Sequence, residues 1–161
     1  MLFVGINPGI RSAKTGHHFA GYSNRFWKLL FESGLVPEPL TYLDDGRLPV
    51  WGYGITNIVA RPTRGVGDLA PAELAAGRAA LARKVRRWKP RIVALAGVMI
   101  YRALFPAGPG PLRPGLSPER FAGARVFVLP NPSGRNAHYS YAEMLAAFVE
   151  LRELVTGARP R

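Results

Sequence analysis

Leu2-Phe3-Val4-Gly5-Ile6-Asn7-Pro8-Gly9 opens the chain with an apolar run that stops on an Asn-Pro-Gly turn. A short continuous apolar run closed by turn residues reads as a strand buried on both faces, the kind found in parallel sheets. The arrangement returns far down the chain, where Ala124-Arg125-Val126-Phe127-Val128-Leu129-Pro130 leads into Asn131-Pro132-Ser133-Gly134. In open α/β sheets, ligands bind beyond the carboxyl ends of the strands. Two rigid turns that carry an amide or a hydroxyl at strand ends can therefore build one site, although most of the chain lies between them.

Two further strands fall between these motifs, at Gly54–Val59 and Arg91–Ala96. Helices alternate with them. Ser23-Asn24 offers an N-cap to a helix carrying Phe26, Trp27, Leu29, Leu30 and Phe31 and ending by Gly34. Pro71 begins the clearest helix, which runs to Trp88 with Leu74, Ala75, Leu81 and Val85 on its apolar side. Val98–Phe105 reads as a short helix, and Tyr141–Val155 closes the chain with Met144, Leu145, Phe148, Leu151 and Leu154 on one face. Residues 10–21, 36–50 and 106–123 read as a loop, an irregular connection and a Pro/Gly-rich surface excursion. Alternating strands and helices predict an α/β fold, a central four-stranded, mainly parallel sheet flanked by helices. One domain is expected over residues 1–156, followed by a frayed tail at 157–161.

Composition narrows the chemistry. The 161 residues hold 22 Lys and Arg against 10 Asp and Glu, a net charge of +12 that favours a polyanionic partner, with nucleic acid first. The absence of cysteine excludes disulfides, Cys-ligated zinc, iron–sulfur clusters and a thiol nucleophile. His17, His18 and His138 have no metal-ligand spacing, and no P-loop pattern GxxxxGK[ST] occurs. No metal or organic cofactor is expected. No apolar stretch reaches the roughly 18 residues of a membrane-spanning helix, and Met1–Ile6 lacks the basic start of a signal peptide. A cytoplasmic protein without a membrane partner is expected; the chain starts inside a strand-like run, as though a short leading segment preceded it.

With a polyanion as partner, the strand-end turns read as a pocket for a base extruded from DNA. Asn7 carries an uncharged amide that can hold a water or a carbonyl in fixed orientation. Pro8 stiffens its turn, and Gly9 lets a ligand come close to the backbone. Phe19, in the next loop, can stack on a base. Ser133 and neighbouring amides can bind a phosphate, and Arg135 can enter a duplex or contact a neighbouring base. Asp68, in the Gly-rich loop after the second strand, is a candidate general base. Thr56-Asn57 and Arg61-Pro62-Thr63 are candidates for the pocket wall. Arg83, Lys84, Arg86, Arg87, Lys89 and Arg91 form a basic run that suits a helix C-terminus and a solvated face, outside the site.

Five stretches in fixed order, GINPG at 5–9, SAKTGHHFA at 12–20, SNRFWKLL at 23–30, GITNIVARPT at 54–63 and NPSG at 131–134, resemble the mismatch-specific uracil-DNA glycosylases, bacterial relatives of thymine-DNA glycosylase. The resemblance implies a uracil-DNA-glycosylase-like fold. It implies flipping and hydrolytic excision of uracil, and of related modified pyrimidines, from mispaired duplex DNA, mainly G·U, leaving an abasic site. Such an enzyme is expected to act as a monomer on the bacterial nucleoid. By motif, Asn7 corresponds to the water-positioning asparagine, Phe19 to the stacking aromatic, and Ile6 and Gly9 to backbone positions lining the pocket. A tyrosine stands in the place of Gly9 in the uracil-specific relatives and blocks a 5-methyl group; Gly9 implies a wider base range. Asn131, Pro132, Ser133 and Gly134 correspond to the segment that enters DNA. The family continues there with Leu-Ser-Arg, whereas this chain continues with Arg135, Asn136, Ala137 and His138, so a cation replaces the apolar wedge. The competing expectation is a non-catalytic binder of mispaired or damaged DNA using the same pocket.

Overall fold

The computed structural model describes residues 1–108 and 113–157. Its centre is a sheet in the order β2-β1-β3-β5-β4, with β1 at Leu2–Gly5, β2 at Gly54–Asn57, β3 at Ile92–Ala96, β4 at Gly115–Phe121 and β5 at Ala124–Leu129. β1, β2, β3 and β5 are mutually parallel, and β4 pairs antiparallel with β5. The helices are α1 (Ile10–Thr15), α2 (Phe26–Glu32), α3 (Pro71–Trp88), α4 (Val98–Leu104) and α5 (Tyr141–Thr156).

Alternation along the strands divides the core in two. Leu2 and Val4, Val93 and Leu95, Val126 and Val128 face α3 and α4, where Leu81, Val85, Ile100 and Leu104 meet them. Phe3, Ala94, Phe127 and Leu129 face the other way, toward Phe26, Leu29 and Leu30 of α2 and Met144, Phe148 and Leu151 of α5. Phe26 is fully buried there, edge-on to Phe3 with ring centroids 5.2 Å apart. Apolar strands covered on both faces explain why the four parallel strands are plain in the sequence.

Three stretches differ from the sequence expectation. The sheet has five strands rather than four, because part of the 106–123 excursion forms β4. Pro118 and the charged Glu119 and Arg120 hid it; they are tolerated because β4 is an edge strand whose register slips between Leu116 and Arg120. Residues 109–112 of that excursion, and 158–161 of the tail, lie outside the described residues. Within 10–21, Ile10–Thr15 is helical, and Tyr42–Trp51 is a run of 3-10 turns started by Thr41, which accepts from Leu43 N–H at 3.3 Å while Asp44 accepts from Thr41 N–H at 2.8 Å. Among the described residues, no helix is long and apolar enough to cross a membrane.

The topology places the site. From β1 the chain passes to β2 on one side of it, then returns through α3 to β3 on the other side. The reversal opens a crevice at the carboxyl end of β1, where Ile6 and Asn7 follow. The close fit of α3 against this region depends on Gly77, at which a Cβ would lie 2.4 Å from the Ile58 carbonyl oxygen. In a helix interior, Gly to Ala ordinarily adds about 1 kcal/mol of stability. At Gly77 the sign reverses: Gly77→Ala is expected to lose roughly 1–3 kcal/mol in urea unfolding, and a gain would contradict this packing.

Candidate active site

Beyond the last paired residues of β1 and β2, the two turns that follow stay joined. Ile58 N–H donates to Gly5 carbonyl at 2.9 Å, Val59 N–H to Ile6 at 2.8 Å and Thr63 N–H to Pro8 at 3.3 Å. The GINPG turn and the RPT segment thus form one wall of a cavity of about 1220 Å³. Ile6, Asn7, Gly9, Phe19, Asn131, Ser133 and Arg135 all line it, together with Thr56, Asn57, Thr63 and Lys84. Gly5 permits the close approach of the strands here, since a Cβ on it would lie 2.4 Å from Asn57 Oδ1.

Asn7 is held by its nitrogen. Nδ2 donates to the Arg61 carbonyl at 2.9 Å and to Thr63 Oγ1 at 2.8 Å. Thr63 is buried, and its hydroxyl donates in turn to the Gly65 carbonyl at 2.7 Å. A carbonyl can only accept, and the Thr63 proton is already committed, so the amide orientation follows from the network. Both bonds use Nδ2, which leaves Oδ1 as the unused acceptor of a residue that lines the cavity. The Ile6 and Gly9 carbonyls are engaged within the protein by Val59 and Ala13 N–H. A Cβ built on Gly9 would meet nothing within 4 Å, so the cavity is open at that residue.

The carbonyl of Arg61 is itself fixed through its side chain. Arg61 Nε and Nη2 grip the Glu73 carboxylate at 2.7 and 2.9 Å, and Nη2 also donates to the Asp68 carbonyl at 2.8 Å. These bonds, and then the Ala70 N–H, hold the Glu73 carboxyl down to about 2. Asp68 therefore enters the structure through its backbone. Its side chain is exposed on the 3-10 turn Val66–Asp68 and does not line the cavity, so the structure does not bring this expected general base to Asn7.

The opposite wall is the NPSG segment. Asn131 Oδ1 accepts from Ser133 N–H at 2.9 Å, Ser133 Oγ from Arg135 N–H at 3.3 Å, and Asn136 Nδ2 donates to the Asn131 carbonyl at 2.9 Å. The buried Pro132 gives its carbonyl to Arg25 N–H at 2.9 Å, and Gly134 rests on Ser23, where a Cβ would come within 2.4 Å of the serine Cβ. Pro132, Gly134 and Asn136 thus brace the loop, while Asn131, Ser133 and the exposed Arg135 present side chains to the cavity.

Lys84 corrects the expectation of a solvated basic face. It lines the cavity and donates from Nζ to Thr56 Oγ1 at 2.9 Å. Its position was legible in the helix period, because Gly77, Leu81 and Lys84 fall on one face of α3 and the first two are buried. Among the described residues, no group of three His, Asp or Glu side chains could hold a metal ion.

Phe19 forms the remaining wall with its backbone in the left-handed region, at φ 51°. That conformation is uncommon for a bulky residue and costs about 1–3 kcal/mol, so its surroundings must enforce it. They do. One face of the ring stacks on Phe26 at 4.1 Å, with 25° between the planes. Before it, Asp45 accepts from His18 N–H at 2.9 Å and pairs with His17 Nδ1 at 3.0 Å; after it, Arg11 Nε donates to the Ala20 carbonyl at 2.6 Å and Ser12 Oγ accepts from Ala20 N–H at 3.1 Å. Burial pushes the Asp45 carboxyl up, but the hydrogen bonds from His17 and His18 outweigh it and hold it below its ordinary value. Burial likewise pushes His18 below its ordinary value, against the attraction of Asp45. A depressed carboxyl contributes stability above its unfolded pKa, near 3.9, and loses it as pH falls through the lower folded value. Asp45→Asn is therefore expected to cost about 1–3 kcal/mol at neutral pH. In thermal unfolding scanned against pH, the deficit should shrink toward zero as the pH falls through the depressed Asp45 value; a constant deficit would assign the loss to packing instead.

Comparison with known proteins gives the family. Residues 1–153 match the uracil DNA glycosylase superfamily. A relative from Schizosaccharomyces pombe, described as a G/U mismatch-specific uracil DNA glycosylase, is 42% identical over 147 residues, which are 86% of this chain and 45% of the relative. The chain thus spans less than half the length of that relative. With the match running through the GINPG turn, the Phe19 loop and the NPSG segment, the chain belongs to the uracil DNA glycosylase superfamily.

Proposed function

We propose that this chain is a DNA repair glycosylase that flips uracil out of mispaired duplex DNA, mainly G·U, and hydrolyses its N-glycosidic bond to leave an abasic site. The observation that carries this reading is the Asn7 amide on the cavity wall, fixed through Nδ2 by Arg61 and Thr63 so that Oδ1 is left as an acceptor. It is supported by superfamily membership and by the name of the fission yeast relative.

Flipping costs a few kcal/mol and least at a mispair, which selects G·U over A·U before any pocket contact. The flipped base stacks on Phe19, whose ring is braced from behind by Phe26. As the bond to C1′ lengthens, positive charge develops on the sugar and negative charge on the base. The Lys84 ammonium, which lines the cavity, favours the leaving base anion. Oδ1 of Asn7 accepts a hydrogen bond from the attacking water and aims it at C1′. An amide is a poor proton acceptor, so its contribution is orientation, and the chemistry is slow by glycosylase standards. The proton lost by the water ends on the departing base anion, directly or through solvent, and none is routed through Asp68, whose side chain stands outside the cavity. Arg135, exposed at the rim on a self-braced loop, takes the place of the displaced base in the stack and weakens the dependence on an apolar wedge.

Duplexes carrying one G·U or one A·U pair, cleaved with alkali after incubation, test the reading. Strand cleavage is expected at G·U and less at A·U. Asn7→Ala should lower single-turnover excision by at least about a hundredfold while duplex affinity stays within a few fold. Specific binding without an abasic product would support the non-catalytic binder instead. The open space at Gly9 gives a second expectation: Gly9→Tyr should retain excision of uracil and lose that of 5-methylated pyrimidines. Equal loss on both would show that the tyrosine blocks the whole pocket.

A further inference from the structure

At the other end of the sheet, a groove of about 650 Å³ gathers the side chains of Arg86, Lys89, Arg91, Arg120 and Arg125, and no Asp or Glu is among its lining residues. Among the described residues, none of these five cations is salt-bridged. They come from four places in the fold: the last turn of α3, the link from α3 into β3, edge strand β4, and β5. The helix dipole accounts for Arg86 and Lys89, which sit at the C-terminal end of α3. It does not account for Arg91, Arg120 or Arg125.

Arg120 and Arg125 are direct partners across the antiparallel β4–β5 ladder. Like charges placed opposite each other destabilise a sheet, so folding alone does not favour this pair. The Arg120 guanidinium is braced by donation from Nη1 to the Gly123 carbonyl at 3.1 Å, which leaves its remaining N–H groups to face outward. The groove has apolar lining at Pro90 and Ala124, with the exposed Arg86, Lys89, Arg91 and Arg120 and the half-buried Arg125 around it. That combination suits a phosphodiester chain, with sugars over the floor and phosphates against the arginines.

The groove lies at the amino-terminal end of β3, whereas Ala96 at the other end lines the candidate active site. Five residue steps along the strand lead from Arg91 to Ala96, about 17 Å at about 3.3 Å per residue. A duplex lying across the carboxyl ends does not reach it. We propose that this groove binds the phosphate backbone of a second DNA segment, so that one chain can hold two duplexes and pass between them without full release.

The test uses the whole protein and short duplexes without any mispair, so that its outcome is independent of glycosylase activity. One duplex is immobilised, a second carries a dye, and sedimentation gives the number of duplexes per protein chain. Wild type is expected to retain the dyed duplex at low salt with two duplexes per chain. Arg120→Gln combined with Arg125→Gln should weaken that second duplex about tenfold or more, lower its log–log salt slope by about 2, and leave the first duplex within a few fold. Its Tm should be unchanged or higher, because the opposed charges are gone. A second variant, Lys89→Gln with Arg91→Gln, should repeat the effect if the first does not fold. One duplex per chain in wild type, unaltered bridging in the variants, or equal loss of both duplexes would overturn the proposal. So would protection of the groove by inorganic phosphate or a mononucleotide at concentrations where a second duplex has no effect.

Discussion

Two hydrogen bonds from one amide nitrogen organise the functional end of this molecule. Asn7 Nδ2 reaches the Arg61 carbonyl and the Thr63 hydroxyl, and so ties the turn after β1 to the turn after β2. Each partner is itself restrained: Arg61 by Glu73 at the start of α3, Thr63 by Gly65. The result is an uncharged acceptor held at the switch point of a parallel sheet. Flexibility there would cost the water its aim, because an amide has little else to offer a hydrolytic reaction. The surrounding elements can be understood as means of keeping that atom still and the cavity beside it open.

The same logic explains the cost accepted at Phe19. A left-handed phenylalanine is stable only because Asp45, Arg11 and Ser12 fix the backbone on both sides of it and Phe26 backs its ring. The long 3-10 stretch that supplies Asp45 has a purpose in this arrangement beyond connecting α2 to β2. Opposite, the NPSG loop is closed on itself by Asn131, Ser133 and Asn136, so Arg135 is carried on a stiff support at the rim.

The four parallel strands and the helices α2, α3, α4 and α5 were legible because buried apolar runs and helical spacing are direct consequences of burial on both faces of a sheet. Edge strand β4 was not, since Pro118, Glu119 and Arg120 carry no apolar alternation and are accommodated only at an edge. Asn7, Asn131 and Ser133 stand out in motifs at strand ends and Phe19 in the loop after the first of them, and the structure brings these four residues to one cavity. What fixes them was hidden. A backbone carbonyl such as that of Arg61 leaves no mark in a sequence, and the Arg61–Glu73 and Asp45–His18 contacts bridge segments whose proximity only the fold creates. Asp68 was singled out because a carboxylate stood in the right loop; in three dimensions its carbonyl, not its side chain, takes part. Lys84 was discounted as one member of a charged run, when its spacing from Gly77 and Leu81 placed it on the inward face.

The orientation of Asn7, and not merely its presence, controls the proposed excision. Thr63 tests this without touching Asn7 itself. Thr63→Val keeps the shape but removes the oxygen that accepts from Nδ2, whereas Thr63→Ser keeps that oxygen. Single-turnover excision at a G·U pair, measured beside duplex affinity, gives the answer. Thr63→Val is expected to lower the rate about ten- to a hundredfold at unchanged affinity, a loss of about 1.4–2.7 kcal/mol of transition-state stabilisation, with the rate largely restored in Thr63→Ser. A Thr63→Val protein that excises at the wild-type rate would contradict it.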